Sequence, residues 1–342
     1  MPTLKELAAL AGVSVSTVSK ALNNSPDIAE ETRDYIVGLA HQEGYQRKFR
    51  KKSAARPSSI AGPKIGLIYS DVVSRYYSRV IDSYNRRIRE MDGALIACDA
   101  GFSQERAVAL CNYLDQQCHV DGIISISNSG DPADFPKTKV PLVGTFGSRN
   151  FHKVMEGYLP CDLICINSRT GIIQAIEHLQ SLGHTDFAFL GETHTFYRER
   201  LFRELAEEHR LNIPENRIRI SRLRFEEAGY DAMRQLLEEG HRPTAVLCAY
   251  DDIAVGASKA ILEAGLRVPE DISLVGFDNS SLRLYNQKIL ASVDSFIEDQ
   301  TRLVLEMLMS RITDPACGAI RNISLQTAFV PHETVGPARN SE

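Results

Sequence analysis

From residue 64 onward, this sequence alternates short apolar runs with longer segments that have the hydrophobic spacing of helices. Apolar runs of four to seven residues are typical of parallel strands that are buried on both faces. We therefore predict an α/β domain of two lobes, each built on a doubly wound parallel sheet. The runs form two series, KIGLIYS (64–70), ALIACDA (94–100), GIISIS (122–127) and PLVGTF (141–146), then LICIN (163–167), FAFLG (187–191), AVLCA (245–249) and ISLVGF (272–277), with a returning strand at NISLQ (322–326).

The carboxyl ends of these strands are the place where we expect a ligand. Open parallel sheets bind ligands in the crevice beyond their carboxyl ends. Two lobes that face each other across such an edge form a hinged cleft. Asp278, directly after the run ISLVGF, is a candidate ligand at this edge because a carboxylate accepts hydrogen bonds from two hydroxyl groups.

The first 45 residues have a different pattern, that of three short helices. Thr3 begins a capping box, Gly12 supplies a tight turn, and Ser14 is placed to cap a second helix over about 15–22. A third helix is predicted near 30–43. Two helices joined by a four-residue turn, with small polar residues facing outward on the second, are typical of a helix-turn-helix that reads DNA. An ordinary three-helix bundle has the same periodicity and remains an alternative.

Charge separates the two parts of the chain. The whole chain has a formal net charge of −5, yet its first 63 residues carry more basic than acidic side chains. The segment QRKFRKKSAAR (46–56) contains basic residues and no acid. A basic head on an acidic body is typical of a nucleic-acid-binding protein, although a solvated basic linker has the same composition.

The head resembles the DNA-binding headpiece of the lactose-repressor/galactose-repressor (LacI/GalR) family. The resemblance rests on the run A-G-V-S-x-x-T-V-S-[RK]-x-L-N, followed by T-R and a closing G-Y. It implies that Val15, Ser16 and Lys20 read bases while Thr17 and Ser19 contact phosphates. Lysine reads guanine as a point donor rather than as a rigid fork. The predicted DNA-binding residues of the head are Thr3, Ser14, Val15, Ser16, Thr17, Ser19, Lys20 and Asn23.

The linker after Tyr45 departs from the family. Family members usually continue with Pro-Asn and a short helix whose leucine enters the minor groove, but this chain has no such leucine, and Pro57 would end a helix there. Our hypothesis is that this linker holds DNA through phosphate contacts. The residues concerned are Arg47, Lys48, Arg50, Lys51 and Lys52.

The family resemblance extends across residues 64–330, most clearly at VDGII (120–124) and AGLRVPEDISLVGFDN (264–279). It implies the fold of periplasmic sugar-binding proteins. The implied effector-binding residues are an aromatic pair, arginines that grip ligand oxygens and polar residues at strand ends, namely Tyr76, Tyr77, Arg149, Arg198, Tyr250, Asp251 and Asp278. Tyr250 stands where the family usually has asparagine, so the effector is not restricted to a simple hexose.

Several of these residues have an alternative, purely structural role. Asp251 is also placed to cap the helix that it begins. Tyr76 and Tyr77 are equally suited to packing in a wall, and Arg198 to the surface of a charge-rich helix.

Other classes of protein are disfavoured by the sequence. It contains no phosphate-binding glycine loop, no nucleophile elbow and no metal-ligand spacing among its histidines, so we expect no enzyme activity, no metal and no cofactor. Seven scattered cysteines indicate reduced thiols. No apolar run is long enough to span a membrane and no secretion signal is recognisable, so we expect a cytoplasmic protein.

We predict a transcriptional regulator, most simply a repressor, that binds a palindromic operator as a homodimer under the control of a sugar or related polar metabolite. The alternative is a ligand-binding protein whose head no longer reads DNA. The predicted domains are a head (1–46), a basic linker (47–63) and an effector domain (64–340). Within the last, the first lobe comprises about 64–164 and 296–326, and the second about 165–295 and 327–340.

Overall fold

The computed structural model describes residues 4–22, 28–42, 61–71, 73–126, 137–147, 161–211, 213–315 and 318–339. The chain divides into two compact units, Met1–Ser59 and Ile60–Glu342. The predicted limits of head, linker and lobes are finer than this division and stay predictions.

The first unit contains the three predicted helices. Ser14 caps the second of them as expected, because its hydroxyl oxygen accepts a hydrogen bond from the Thr17 backbone N–H at 3.0 Å. Gly12 has a φ of +64°, a left-handed conformation that glycine adopts without a steric penalty. The helices are α1 Leu4–Ala11, α2 Val15–Leu22 and α3 Glu30–Gln42, and their buried core consists of Leu7, Ala8, Val18, Ala21, Ile36 and Ala40.

The first lobe of the second unit is built on a sheet of six parallel strands in the order β11-β5-β4-β3-β1-β2. Its strands are β1 Lys64–Tyr69, β2 Ala94–Asp99, β3 Gly122–Ile126, β4 Leu142–Gly147, β5 Asp162–Asn167 and β11 Asn322–Gln326. Separate apolar clusters pack against this sheet. Its described helices are α4 Arg75–Glu90, α5 Gln104–Gln116 and α10 Ile297–Thr313.

The second lobe has another six-stranded sheet, in the order β12-β10-β9-β8-β6-β7. Five strands are parallel, and the short strand β12 pairs with β10 in antiparallel fashion. The prediction of two doubly wound sheets is confirmed, with β12 as the one departure from parallel pairing among the described strands. The strands are β6 Phe187–Glu192, β7 Ile218–Ser221, β8 Ala245–Cys248, β9 Ser273–Phe277, β10 Ala291–Asp294 and β12 Ala328–Val330, and the helices are α6 Arg169–Ser181, α7 Phe196–Glu208, α8 Phe225–Glu238 and α9 Asp251–Glu263.

Helices α8 and α9 lie unusually close together because glycines line their contact. A Cβ atom on Gly256 would lie 1.8 Å from the carbonyl oxygen of Glu226, and one on Gly229 would lie 1.9 Å from that of Ile253. No larger residue fits either position without moving a backbone. The close approach brings the first turns of α8 and α9 side by side at the edge of the second lobe.

The chain passes between the lobes at three places, and two of them are tied together. Thr327, between β11 and β12, donates a hydrogen bond from its hydroxyl to the Asn167 carbonyl oxygen at 3.1 Å. The same hydroxyl oxygen accepts a bond from the Gly171 backbone N–H at 3.1 Å, at the start of α6. The third passage, residues 295–296, runs from β10 to α10. Such short connections allow one lobe to rotate against the other about a common hinge.

Candidate effector site and DNA-reading helix

Helix α2 presents the side chains that were predicted to read DNA. Ser16 and Lys20 are exposed, and Val15 has 40% of its surface exposed although it is apolar. The Thr17 hydroxyl lies 2.8 Å from that of Ser14, so it is oriented by the residue that caps the helix. Ser19 lies in the same helix. The remaining predicted DNA-binding residues, Thr3, Asn23, Arg47, Lys48, Arg50, Lys51 and Lys52, lie outside the described residues.

Asp278 and Arg198 meet at the carboxyl edge of the second sheet. Asp278 follows β9 with a φ of +91° and is buried, and its Oδ1 accepts a hydrogen bond from Arg198 Nη2 at 3.1 Å. The guanidinium of Arg198 also stacks over the Phe277 ring, 3.7 Å from its centroid, and donates to the carbonyl oxygen of Ala249. These contacts hold the arginine at the strand ends and not on an open helix surface.

The two tyrosines after β1 have different environments. Tyr77 is 2% exposed and packs against Tyr69, with ring centroids 6.1 Å apart, so it belongs to the core of the first lobe. Tyr76 is half-buried and its hydroxyl donates to Gln300 Oε1 at 3.4 Å. Burial and the nearby Asp278 carboxylate raise the pKa of Tyr76, which therefore stays a neutral phenol. Tyr76 is the member of the pair that lies beside the strand-end carboxylate.

Asp251 neither caps α9 nor lies open to the cleft. Its carboxylate accepts hydrogen bonds from the Ser280 backbone N–H and from the Ser292 hydroxyl, both at 2.6 Å. Burial raises its pKa to about 7, although these two hydrogen bonds act in the opposite direction. In this structure Asp251 orders the loop that carries Asp278, and its contact with an effector stays a prediction.

Tyr250 is also engaged within its own lobe. Its hydroxyl oxygen accepts a hydrogen bond from the Phe225 backbone N–H at 3.1 Å, and the two rings pack edge to face 6.0 Å apart. Phe225 begins α8 with a φ of +56°, so this bond helps to hold a strained backbone. The seventh predicted residue, Arg149, lies outside the described residues.

The structure adds charged residues that the sequence reasoning did not select. Arg75 of the first lobe pairs with Asp252 and Glu226 of the second. In the opposite direction, Arg224 of the second lobe pairs with Asp71 of the first. The partners are more than 150 residues apart along the chain, and no local motif identifies them.

The described residues form neither a candidate metal site nor a helix suited to spanning a membrane. The part of the chain that the structure describes holds no cluster of three or more His, Cys, Asp or Glu side chains suited to a metal ion. Within the same residues, no helix is both long and apolar enough to cross a bilayer.

The chain matches two family models. Residues 3–48 match bacterial regulatory proteins of the lacI family, and residues 176–335 match a periplasmic binding protein-like domain. The probable HTH-type transcriptional repressor ExuR of Bacillus subtilis (strain 168) is 30% identical, over 98% of this chain and 98% of that protein. The chain belongs to the lacI family of regulatory proteins. As a lacI-family member it is a DNA-binding transcriptional regulator, as the sequence predicted.

Solved structures agree with this fold. The lac repressor dimer bound to operator and the anti-inducer ONPF superposes with a TM-score of 0.68 at 22% identity, covering 98% of this chain and 99% of that one. The transcriptional regulator CelR in complex with cellobiose gives a TM-score of 0.65 at 24% identity, covering 98% and 100%. At these identities the likeness establishes the fold.

Proposed function

We propose that this lacI-family regulator is a repressor whose affinity for operator DNA is controlled by a small hydroxylated effector, a sugar or a related polar metabolite. The observation that carries the proposal is the Arg198–Asp278 pair, an aligned donor and acceptor at the carboxyl edge of the second sheet. The complex of the regulator CelR with cellobiose supports this class of ligand.

The chemistry of the pair suits a polyol. The second oxygen of Asp278 accepts a hydroxyl hydrogen, while Arg198 donates to an ether or hydroxyl oxygen of the same ligand. Tyr76 lies beside them and supplies an apolar face with a neutral hydroxyl. Because Asp278 and Arg198 belong to one lobe and Tyr76 to the other, an effector that contacts all three changes the relation between the lobes. We include Tyr77, Tyr250 and Asp251 in the proposed site as residues that support its walls and loops, and Arg149 as a residue that contacts the effector.

On DNA, we propose that Val15, Ser16 and Lys20 read bases in the major groove. Thr17, Ser19 and the linker cations then contact phosphates, with Thr3, Ser14 and Asn23 at the helix ends. A single helix-turn-helix makes few base contacts, so two heads act together on a palindrome. We therefore propose a homodimer formed by the effector domain (64–340), which the linker (47–63) joins to the head (1–46).

The proposed coupling is mechanical. An effector that shifts the second lobe against the first changes the spacing of the two heads in the dimer, and such a coupling is worth about 1–3 kcal/mol in either direction. Since the partner is chromosomal operator DNA, we place the protein in the cytoplasm, and we propose no catalytic activity for it.

The experiment that tests this proposal is selection of duplexes from a random DNA pool at about 0.15 M salt, a concentration at which specific binding is distinguishable from phosphate attraction. The full chain should enrich one palindrome. The Ser16→Ala/Lys20→Ala variant, which leaves the cap and the helix core unchanged, should not. Failure of the full chain to enrich any sequence would instead favour a ligand-binding protein that no longer reads DNA.

The effector half of the proposal has its own test. A panel of sugars and sugar derivatives is screened by thermal shift on the full chain and on Asp278→Asn. A ligand that stabilises the protein but not this variant supports the site, whereas equal stabilisation of both would contradict it.

A further inference from the structure

Two arginines of the described residues form ion pairs between the lobes, one from each lobe, so that the pairs point in opposite directions. Arg75, the first residue of α4 in the first lobe, reaches Asp252 and lies 3.3 Å from Glu226, both on the second lobe. Arg224, directly before α8 in the second lobe, reaches Asp71 after β1 of the first. Since each lobe supplies one arginine and at least one carboxylate, the pairs fix the lobes against sliding as well as opening.

The two aspartates of these pairs are buried, whereas Glu226 and the arginines are not. The side chains of Asp71 and Asp252 are 9% and 10% exposed, whereas those of Arg224 and Arg75 are 31% and 53% exposed. Burial raises the pKa of Asp252, and the adjacent Arg75 acts against that rise. An acid held in this way depends on its partner, because separating the lobes leaves a desolvated carboxylate uncompensated until water enters.

A third arginine binds the loop that carries Asp278, the carboxylate that we propose contacts the effector. Arg79, one turn after Arg75 on α4, donates hydrogen bonds to the carbonyl oxygens of Asp278 and Asn279, both at 3.1 Å. Those two residues have φ values of +91° and +45°, a backbone conformation that needs outside support. The first lobe thus contacts the segment that an effector would engage.

Aromatic contacts continue the same interface. Phe102 of the first lobe stacks on His194 of the second, with ring centroids 4.1 Å apart and an interplanar angle of 9°. The Arg224 guanidinium lies 5.0 Å from the Phe102 centroid, a distance at which a cation and an aromatic face attract each other. The Tyr250 hydroxyl oxygen accepts a hydrogen bond from the Phe225 backbone N–H, and this bond positions the backbone next to Arg224.

We propose that Arg75, Arg79 and Arg224, with their partners across the cleft, form an interlobe latch that keeps the effector domain closed when the cleft is empty. The latch fixes the lobe arrangement that sets the protein's affinity for its operator, a part of the inference that rests on the proposed function. An effector bound at Asp278 acts on the latch directly, since Arg79 holds the same residue by its carbonyl oxygen.

The first test compares hydrogen–deuterium exchange of the full-length protein and its Arg75→Ala/Arg224→Ala variant, without effector. Exchange in cleft segments of both lobes, near 73–76 and 250–253, should rise about tenfold, because three interlobe ion pairs of modest individual strength are lost. The matched control is Arg234→Ala, whose arginine makes its ion pairs within α8, to Asp231 and Glu238. It should exchange like the unmodified protein. Unchanged exchange in the double variant would overturn the latch.

A charge exchange separates the latch from a general loss of folding. Asp71→Arg alone should open the cleft, and Asp71→Arg combined with Arg224→Asp should restore much of the protection. Failure of the combined variant to restore protection, while its sheet cores remain protected, would also overturn the latch.

The consequence for DNA is measured separately, with the palindrome selected by the unmodified protein. Operator affinity of Arg75→Ala/Arg224→Ala should change by about threefold or more, within the usual range of coupling between sites. An opened cleft with unchanged operator affinity would overturn the coupling while leaving the latch intact. If the unmodified protein selects no palindrome, the proposed function fails, and the exchange measurements still decide on the latch.

Discussion

Neighbouring carboxylates of the second lobe serve different purposes at the scale of single residues. Asp278 lies beside Arg198 at the edge of the cleft. Asp251 instead accepts hydrogen bonds from Ser280 and Ser292, and these bonds order the 278–281 loop. A Cβ atom on Gly276 would lie 2.2 Å from Asp251 Oδ1, so the carboxylate is packed directly against the neighbouring strand. Burial of this kind favours the neutral acid, which is why its pKa is raised to about 7.

This burial predicts a pH dependence that the variant Asp251→Asn should lack. An acid whose pKa is raised from 3.8 in the unfolded chain to about 7 in the folded one binds its proton more tightly when folded. Its contribution to stability is therefore present at low pH and is lost as the pH rises from about 4 to 7. Between pH 5 and 8, the free energy of unfolding of the unmodified protein should fall by about 3 kcal/mol relative to that of the variant. Urea unfolding at both pH values measures this difference, and parallel pH profiles would contradict it.

At the scale of elements, the contact between α8 and α9 decides where the charged groups of the interlobe latch lie. Glu226 is in the first turn of α8 and Asp252 in the first turn of α9, and both carboxylates reach Arg75 because the helices touch through Gly229 and Gly256. The sequence predicted helices between the apolar runs of this lobe. It did not show that glycines on their facing sides bring the two helix starts together.

Gly256→Ala should therefore be costly although alanine favours helices. The new methyl group would overlap the Glu226 carbonyl oxygen, a backbone atom that moves only with the whole helix. We expect the free energy of unfolding to fall by about 3 kcal/mol, measured by urea unfolding. Gly38→Ala, in α3, is the matched control because nothing lies within 4 Å of its added methyl group. That substitution should stabilise its helix by up to about 1 kcal/mol, and equal effects of the two substitutions would refute the explanation.

At the scale of the whole molecule, a basic head and linker are joined to an acidic effector domain. The chain as a whole has a formal net charge of −5, so its attraction to DNA depends on where its cations are placed. The linker cations lie outside the described residues, and their phosphate contacts stay a prediction from sequence.

The prediction for the linker concerns the salt dependence of operator binding. Replacing Arg47, Lys48, Arg50, Lys51 and Lys52 by alanine should weaken operator binding and flatten its dependence on salt, because each lost phosphate contact lowers the log–log slope by about 0.9. Fluorescence anisotropy with the selected palindrome at several salt concentrations measures both quantities. If the variant with five alanines showed an unaltered slope of log affinity against log salt concentration, the linker would not neutralise phosphates.

Much of the fold and the family could be predicted from the sequence alone, because the sequence patterns that indicate them are local. Helix caps, apolar runs and the run A-G-V-S-x-x-T-V-S-[RK]-x-L-N lie within a few residues of each other, so they predicted the head, the two sheets and the family. Asp278 was selected as a candidate effector-binding residue for the same reason, since it directly follows a strand. The strands β7 (IRIS) and β10 (ASVD) were missed because polar residues interrupt their short apolar runs, and β12 (AFV) was missed because it is only three residues long.

The remaining features depend on residues that are distant along the chain. Tyr77 and Tyr76 are adjacent, yet only packing decides that Tyr77 enters the core while Tyr76 stays half-buried near Asp278. The partners of Arg75 and Arg79 lie 151 to 201 residues away. Such pairs leave no recognisable pattern in the sequence, because their members come together only when both lobes are folded and the hinge brings the lobes face to face. Fold and family are thus properties of local sequence, whereas the contacts between the lobes are decided by tertiary structure.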